Sequence, residues 1–248
     1  MEKTASLNQS DFKSPLDEYR PFLAEARKRL IFTLCVFGAA TIAGFFLYEK
    51  IIKFLIDLLS LQGINIVFTS PFQFINLAIS CGAAVGLIVS IPLVVFQVLS
   101  FLKPALKGKE YKTIIKLLPF SAILFSVGFI FGTLIMKWQI KLFLDKSIEL
   151  GIGNILDISR LLTTVLITST LMGIAFEFPL ILLLLLRLGV IKRQQLGKIR
   201  KWVYIGSLMF AILLPADSIL ADILLSLPLI ILFEVTLILN RLRRSTAR

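Results

Sequence analysis

A chain of 248 residues that is 57% apolar, with a mean hydropathy of +0.91, carries more apolar surface than one water-soluble core can hide, since soluble domains run at roughly 45–50% apolar. It has 27 Lys and Arg against 15 Asp and Glu, a net charge of +12, and no histidine. The commonest metal ligand and general base is therefore excluded, and in a membrane protein a cationic excess marks loops retained on the cytoplasmic side rather than nucleic-acid binding.

In chain order, the first feature is "PFLAEARKRLIF", residues 21–32. Arg27, Lys28 and Arg29 read as a topology anchor before an apolar run over about 31–48. Glu25 is not needed for anchoring, and an i,i+4 salt bridge to Arg29 is its ordinary explanation. The next segment, "EKIIKFLIDLLSLQ", spaces Ile51, Phe54, Leu55, Leu58 and Leu59 as one helical face. It predicts an amphipathic helix lying at the membrane interface.

Five further apolar runs follow, at about 77–102, 114–136, 161–186, 202–214 and 219–239, each read as a transmembrane helix. The 202–214 run has 13 residues, roughly 20 Å of helix, less than the ~30 Å hydrocarbon thickness. With its neighbour across "PADS" it predicts a hairpin of two short spans. The expected fold is an all-α polytopic membrane protein, one domain over 1–248, with six transmembrane helices. Of the 27 Lys and Arg, 21 fall in the N-terminal tail, 103–116, 187–201 and 241–248. Both termini are therefore expected in the cytoplasm.

Pro92, Pro119, Pro179 and Pro228 fall inside the runs. Each removes a backbone donor and permits a bend, so a curved, concave bundle is expected. Glu177 lies ten residues before Arg187, about 15 Å along a helix. A carboxylate at that depth is expensive unless protonated, paired or hydrated, and reads as a functional polar site. Glu234, seven residues before Arg241, suits structural pairing. Cys35 and Cys81 lie in apolar runs as small hydrophobes, so no disulfide or metal site is expected. With no histidine, no G-x-S-x-G turn and no pair of intramembrane aspartates, an enzyme is not expected.

Five fragments together resemble the TatC family, the core membrane subunit of the twin-arginine protein translocase. "FLAEARKRL" is similar to its H-L-x-E-L-R-x-R-L signature, with Phe22 at the His and Ala26 at the second Leu. "TSPFQFI" resembles its S-P segment, and "IPLVVFQVLSFLKPALKGKE" its P-x-x-x-Y-Q-x-W-x-F-x-x-P-x-L-x-x-x-E block. In that block Phe96 and Leu99 replace the aromatics, and Lys107 and Lys109 precede the acid. "GIAFEFPLILLLLLRLGVI" and "LLPADSILADILLSLPLIILFE" match the fourth span and the last hairpin.

The resemblance implies a receptor for folded cargo whose signal peptides carry consecutive arginines. Glu25 and Glu110 would each accept one guanidinium, with Arg27, Arg29, Gln97 and Phe101 completing the signal-peptide site. Glu177 and Pro179 would meet TatA- and TatB-type single-span subunits, and Pro71, Pro92, Pro104, Asp217 and Glu234 would be structural. No cofactor and no nucleic acid are implied. The implied partners also include further copies of the chain and the lipid bilayer, the implied location is the bacterial inner or plasma membrane, and the implied energy source is the proton gradient. The main competing reading is an ion-coupled transporter using Glu177.

Overall fold

The computed structural model describes residues 15–61, 66–101, 118–151, 156–187, 191, 196–215 and 218–245. Glu110, Pro104 and Asp217 lie outside the described residues. In lipid a backbone must satisfy its own hydrogen bonds, and each apolar run accordingly becomes helix. The order is α1 Pro15–Phe46, α2 Tyr48–Leu59, β1 Ile66–Val67, α3 Gln73–Phe101, α4 Leu118–Glu149, β2 Leu156–Asp157, α5 Ile158–Phe176, α6 Phe178–Arg187, α7 Leu196–Leu213 and α8 Ile219–Ser245.

Among the described residues, five stretches are long and apolar enough to cross a membrane: Ala24–Phe46, Gln73–Val98, Pro119–Glu149, Ile158–Leu186 and Ile219–Ile238. The fourth of these spans both α5 and α6. The 202–214 run falls on α7, whose first turns carry Lys198, Arg200 and Lys201. Those charges leave too little apolar length for α7 to join the five.

Small residues let the helices approach closely, the usual basis of association where lipid is as apolar as the side chains. Between α1 and α3, a Cβ on Gly82 would come within 2.7 Å of the Thr41 carbonyl oxygen. Between α4 and α5, a Cβ on Gly128 would lie 2.7 Å from the Met172 carbonyl oxygen, and one on Gly132 2.8 Å from Ser169 Cα. A buried hydroxyl pair, Thr133 Oγ1 and Ser169 Oγ at 2.9 Å, joins the same two helices. Their backbones therefore meet along two consecutive turns.

The bundle has two distinguishable ends. The terminal end carries the start of α1 and the close of α3. The loop end carries α2, the parallel β1–β2 pair with Ile66 opposite Leu156, and the α7–α8 turn. At the loop end α2 buries Leu55 and Leu59 against Leu77, Cys81, Met136, Ile140, Leu162 and Val165. It leaves Phe54 63% exposed, so its outer face remains apolar, as an interfacial helix requires. Ser60 closes α2 with φ 58° and ψ 41°, a left-handed stop. Lys137 of α4 donates from Nζ to the Leu58 carbonyl (2.7 Å) and Ser60 Oγ (3.0 Å), complementing the negative end of that helix.

The prolines act differently from one another. α3 runs through Pro92 and α8 through Pro228 without a break. Pro119 is the second residue of α4, where the missing donor costs little because first-turn N–H groups have no intrahelical partner. Pro179 is the second residue of α6, two residues after the turn at Glu177 that separates α5 from α6.

Candidate functional site

At the terminal end, α1 and α3 bring three of the expected signal-peptide residues together. Arg29 Nε and Nη2 donate to Glu25 Oε1 at 3.2 and 2.5 Å. Arg29 Nη1 turns the other way and donates to the Gln97 carbonyl oxygen of α3 at 2.9 Å. Thr33 Oγ1 sits 2.7 Å from Gln97 Oε1 and donates to the Arg29 carbonyl at 2.9 Å. One guanidinium thus pins the acid of its own helix to the backbone of the next.

The pairing leaves acceptor capacity. Both Arg29 bonds end on Oε1, and among the described residues Glu25 Oε2 has no hydrogen-bond partner. The Glu25 side chain is 52% exposed, against 25% for Arg29. The acid is held at one oxygen and open at the other. Arg27, two residues on in α1, is exposed. Phe101 ends α3.

A second polar site lies inside the bundle. Glu177 is 2% exposed, at the α5–α6 turn. Ser121 Oγ of α4 donates to its Oε1 at 2.8 Å, while Oε2 is buried with no hydrogen-bond partner among the described residues. The turn is fixed by Leu180 and Ile181 N–H groups donating to the Glu177 carbonyl (3.0 and 3.1 Å). Met172 and Phe176 on this side of α5 pack with Leu225 and Leu229 of α8. Glu234, on α8, accepts from Tyr204 Oη at 2.5 Å and pairs with Arg200 Nη2 at 3.2 Å, so it joins α7 to α8. Pro71 is exposed in the turn before α3.

Sequence reasoning passed over an interlock at the loop end. Asp157, the N-cap of α5, accepts the Arg160 N–H on Oδ1 at 3.0 Å. Its Oδ2 accepts from Thr69 Oγ1 (2.6 Å) and Gln73 Nε2 (2.7 Å). The Thr69 hydroxyl, foremost, holds the Asp157 carboxyl below the usual carboxylate range, with help from the Arg160 N–H and Gln73. An Asp directly before the apolar run of α5 was a legible cap signal. Its second role required knowing that residues 69 and 157 meet. Lys137 and Ser121 were likewise unreadable, because each acts across helices distant in sequence.

Residues 21–228 match the family model of the Sec-independent protein translocase protein TatC. The chain belongs to the TatC family. TatCy of Bacillus subtilis is 30% identical over 226 residues, covering 88% of this chain and 87% of that one. TatC of Aquifex aeolicus is 30% identical over 236 residues, covering 92% and 95%. The crystal structure of the twin arginine translocase receptor TatC in DDM superposes with a TM-score of 0.78 at 27% identity, over 88% of this chain and 98% of that one. This TatC-family chain is a multi-pass membrane protein and a component of Sec-independent protein translocation.

Proposed function

We propose that this protein is the receptor subunit of a twin-arginine translocase. It takes the paired arginines of a signal peptide at the terminal end of the bundle, which the Lys and Arg distribution assigns to the cytoplasm. It then assembles with TatA- and TatB-type single-span subunits to pass folded cargo, without catalysis of its own, using the proton gradient. Six spans cross the membrane in this reading, the fifth being the short α7, and the membrane is the bacterial inner or plasma membrane.

The observation that carries the reading is Glu25, anchored through Oε1 and open at Oε2. A guanidinium is planar and binds a carboxylate through parallel N–H···O bonds, whereas a lysine ammonium is a point charge. An incoming arginine needs only to add to, or displace, a half-exposed Arg29 contact, and exposed pairs of this kind are worth about 0.2–1 kcal/mol. Arg29 keeps its Gln97 bond when Glu25 is taken, so the α1–α3 contact survives recognition. Glu110, ten residues or fewer beyond the end of α3 in sequence, supplies the second carboxylate.

The test is signal-peptide binding and cargo export by Glu25→Ala and Glu110→Ala, with membrane accumulation measured alongside. Loss of binding at normal accumulation is the expected result. Normal export by both variants would refute the receptor role of these acids.

A further inference from the structure

A cleft of about 580 Å³ opens beside α4 and α5 at the loop end. Its lining changes character with depth. Lys146 in the last turn of α4 and Arg160 in the first turn of α5 stand at its mouth, and Met136, Ile140, Phe143 and Leu161 form apolar wall. From Lys146 to Met136 is ten residues of helix, about 15 Å. The lining thus passes from charged to apolar over that length.

The charges at the mouth are unevenly satisfied. Lys146 Nζ is paired with Glu149 Oε2 at 2.7 Å. The Asp157 carboxylate is occupied by Thr69, Gln73 and the Arg160 backbone N–H. The Arg160 guanidinium itself makes no hydrogen bond or ion pair among the described residues. Deeper on α4, Gln139 lines the cleft with Oε1 buried and without a partner among the described residues. A free guanidinium over an apolar cleft complements an anion that carries a hydrocarbon tail. A guanidinium binds phosphate oxygens in a fork.

We propose that this cleft binds a diacyl phospholipid, its phosphodiester on the Arg160 guanidinium and one acyl chain along Met136, Ile140 and Phe143. The bound lipid fills the space between α4 and α5 at the loop end and ties the Asp157 interlock to the surrounding bilayer.

Native mass spectrometry of the full chain, delipidated in detergent and titrated with dipalmitoyl phosphatidylglycerol, tests this. The unaltered protein is expected to retain one lipid at low excess. Arg160→Gln should need about tenfold more lipid for the same occupancy, and Arg160→Lys, which keeps the charge, should lose much less. Dipalmitoylglycerol, lacking phosphate, should not occupy the site, and inorganic phosphate should not displace the lipid. Equal lipid retention by the unaltered chain and Arg160→Gln would overturn the proposal. So would displacement by inorganic phosphate, which would mark a plain anion site. A lipid-free dimer abolished by Arg160→Gln would put a second copy in the cleft and overturn it as well.

Discussion

Glu25 and Arg29 illustrate how one ion pair holds both an ordinary and a functional reading. The i,i+4 bridge is present, yet Arg29 also reaches the Gln97 carbonyl, a contact between helices that spacing on one helix cannot reveal. Lysine has one ammonium where arginine has three donor nitrogens, so Arg29→Lys cannot serve Glu25 and Gln97 in the same geometry. The variant is expected to lower α1–α3 stability by about 0.5–1.5 kcal/mol, measured as a fall in thermal unfolding temperature in detergent. Asp157 allows a pH prediction. Its carboxyl lies below the usual range in the fold, so its contribution is fully present above the unfolded carboxylate value and fades as pH falls through the lowered one. Thermal stability should therefore show no Asp157-dependent loss between pH 7 and 5, a window chosen to lie above the ~3.9 of an unperturbed Asp. Asp157→Ala should be less stable by about 0.5–2 kcal/mol from the lost cap alone, and the difference should shrink only at more acid pH.

At the scale of elements, apolar run length made most helices legible, since a bilayer permits little besides helix. The amphipathic α2 could be read from spacing alone, because its buried and exposed apolar faces are both set by a 3.6-residue period. The end of α4 could not. The apolar run stops near residue 136, but the helix continues to Glu149, where Lys137 binds the Leu58 carbonyl and the Ser60 hydroxyl and Ile140 still faces the core. The helix contacts make a sharp contrast testable. Gly132→Leu would drive side chain into Ser169 and Met172, whereas a Cβ at Gly38 meets nothing within 4 Å. Gly132→Leu is expected to prevent stable accumulation in the membrane and Gly38→Leu to permit it, as read by immunodetection of membrane fractions. Equal accumulation would show that the α4–α5 contact is not limiting.

Across the whole molecule, the two polar sites lie at different depths. The terminal-end acid is half exposed, while Glu177 is enclosed by α4 and the α5–α6 turn with one oxygen unsatisfied among the described residues. Sequence showed the Glu177 position, since an acid beside Pro179 in an apolar run is conspicuous. It could not show Ser121, which comes from another helix and settles one oxygen. Glu177→Gln retains an acceptor for Ser121, so the fold should persist. Membrane accumulation of Glu177→Gln, read by immunodetection, is expected to match that of the unaltered chain. The most direct test of the receptor account compares a twin-arginine signal peptide with its twin-lysine counterpart, each bearing a photo-crosslinker beside the pair. The full chain should take the twin-arginine peptide at least about tenfold more tightly, and Glu25→Gln should erase most of that preference. Equal labelling by the two peptides, or a preference untouched in Glu25→Gln, would contradict it.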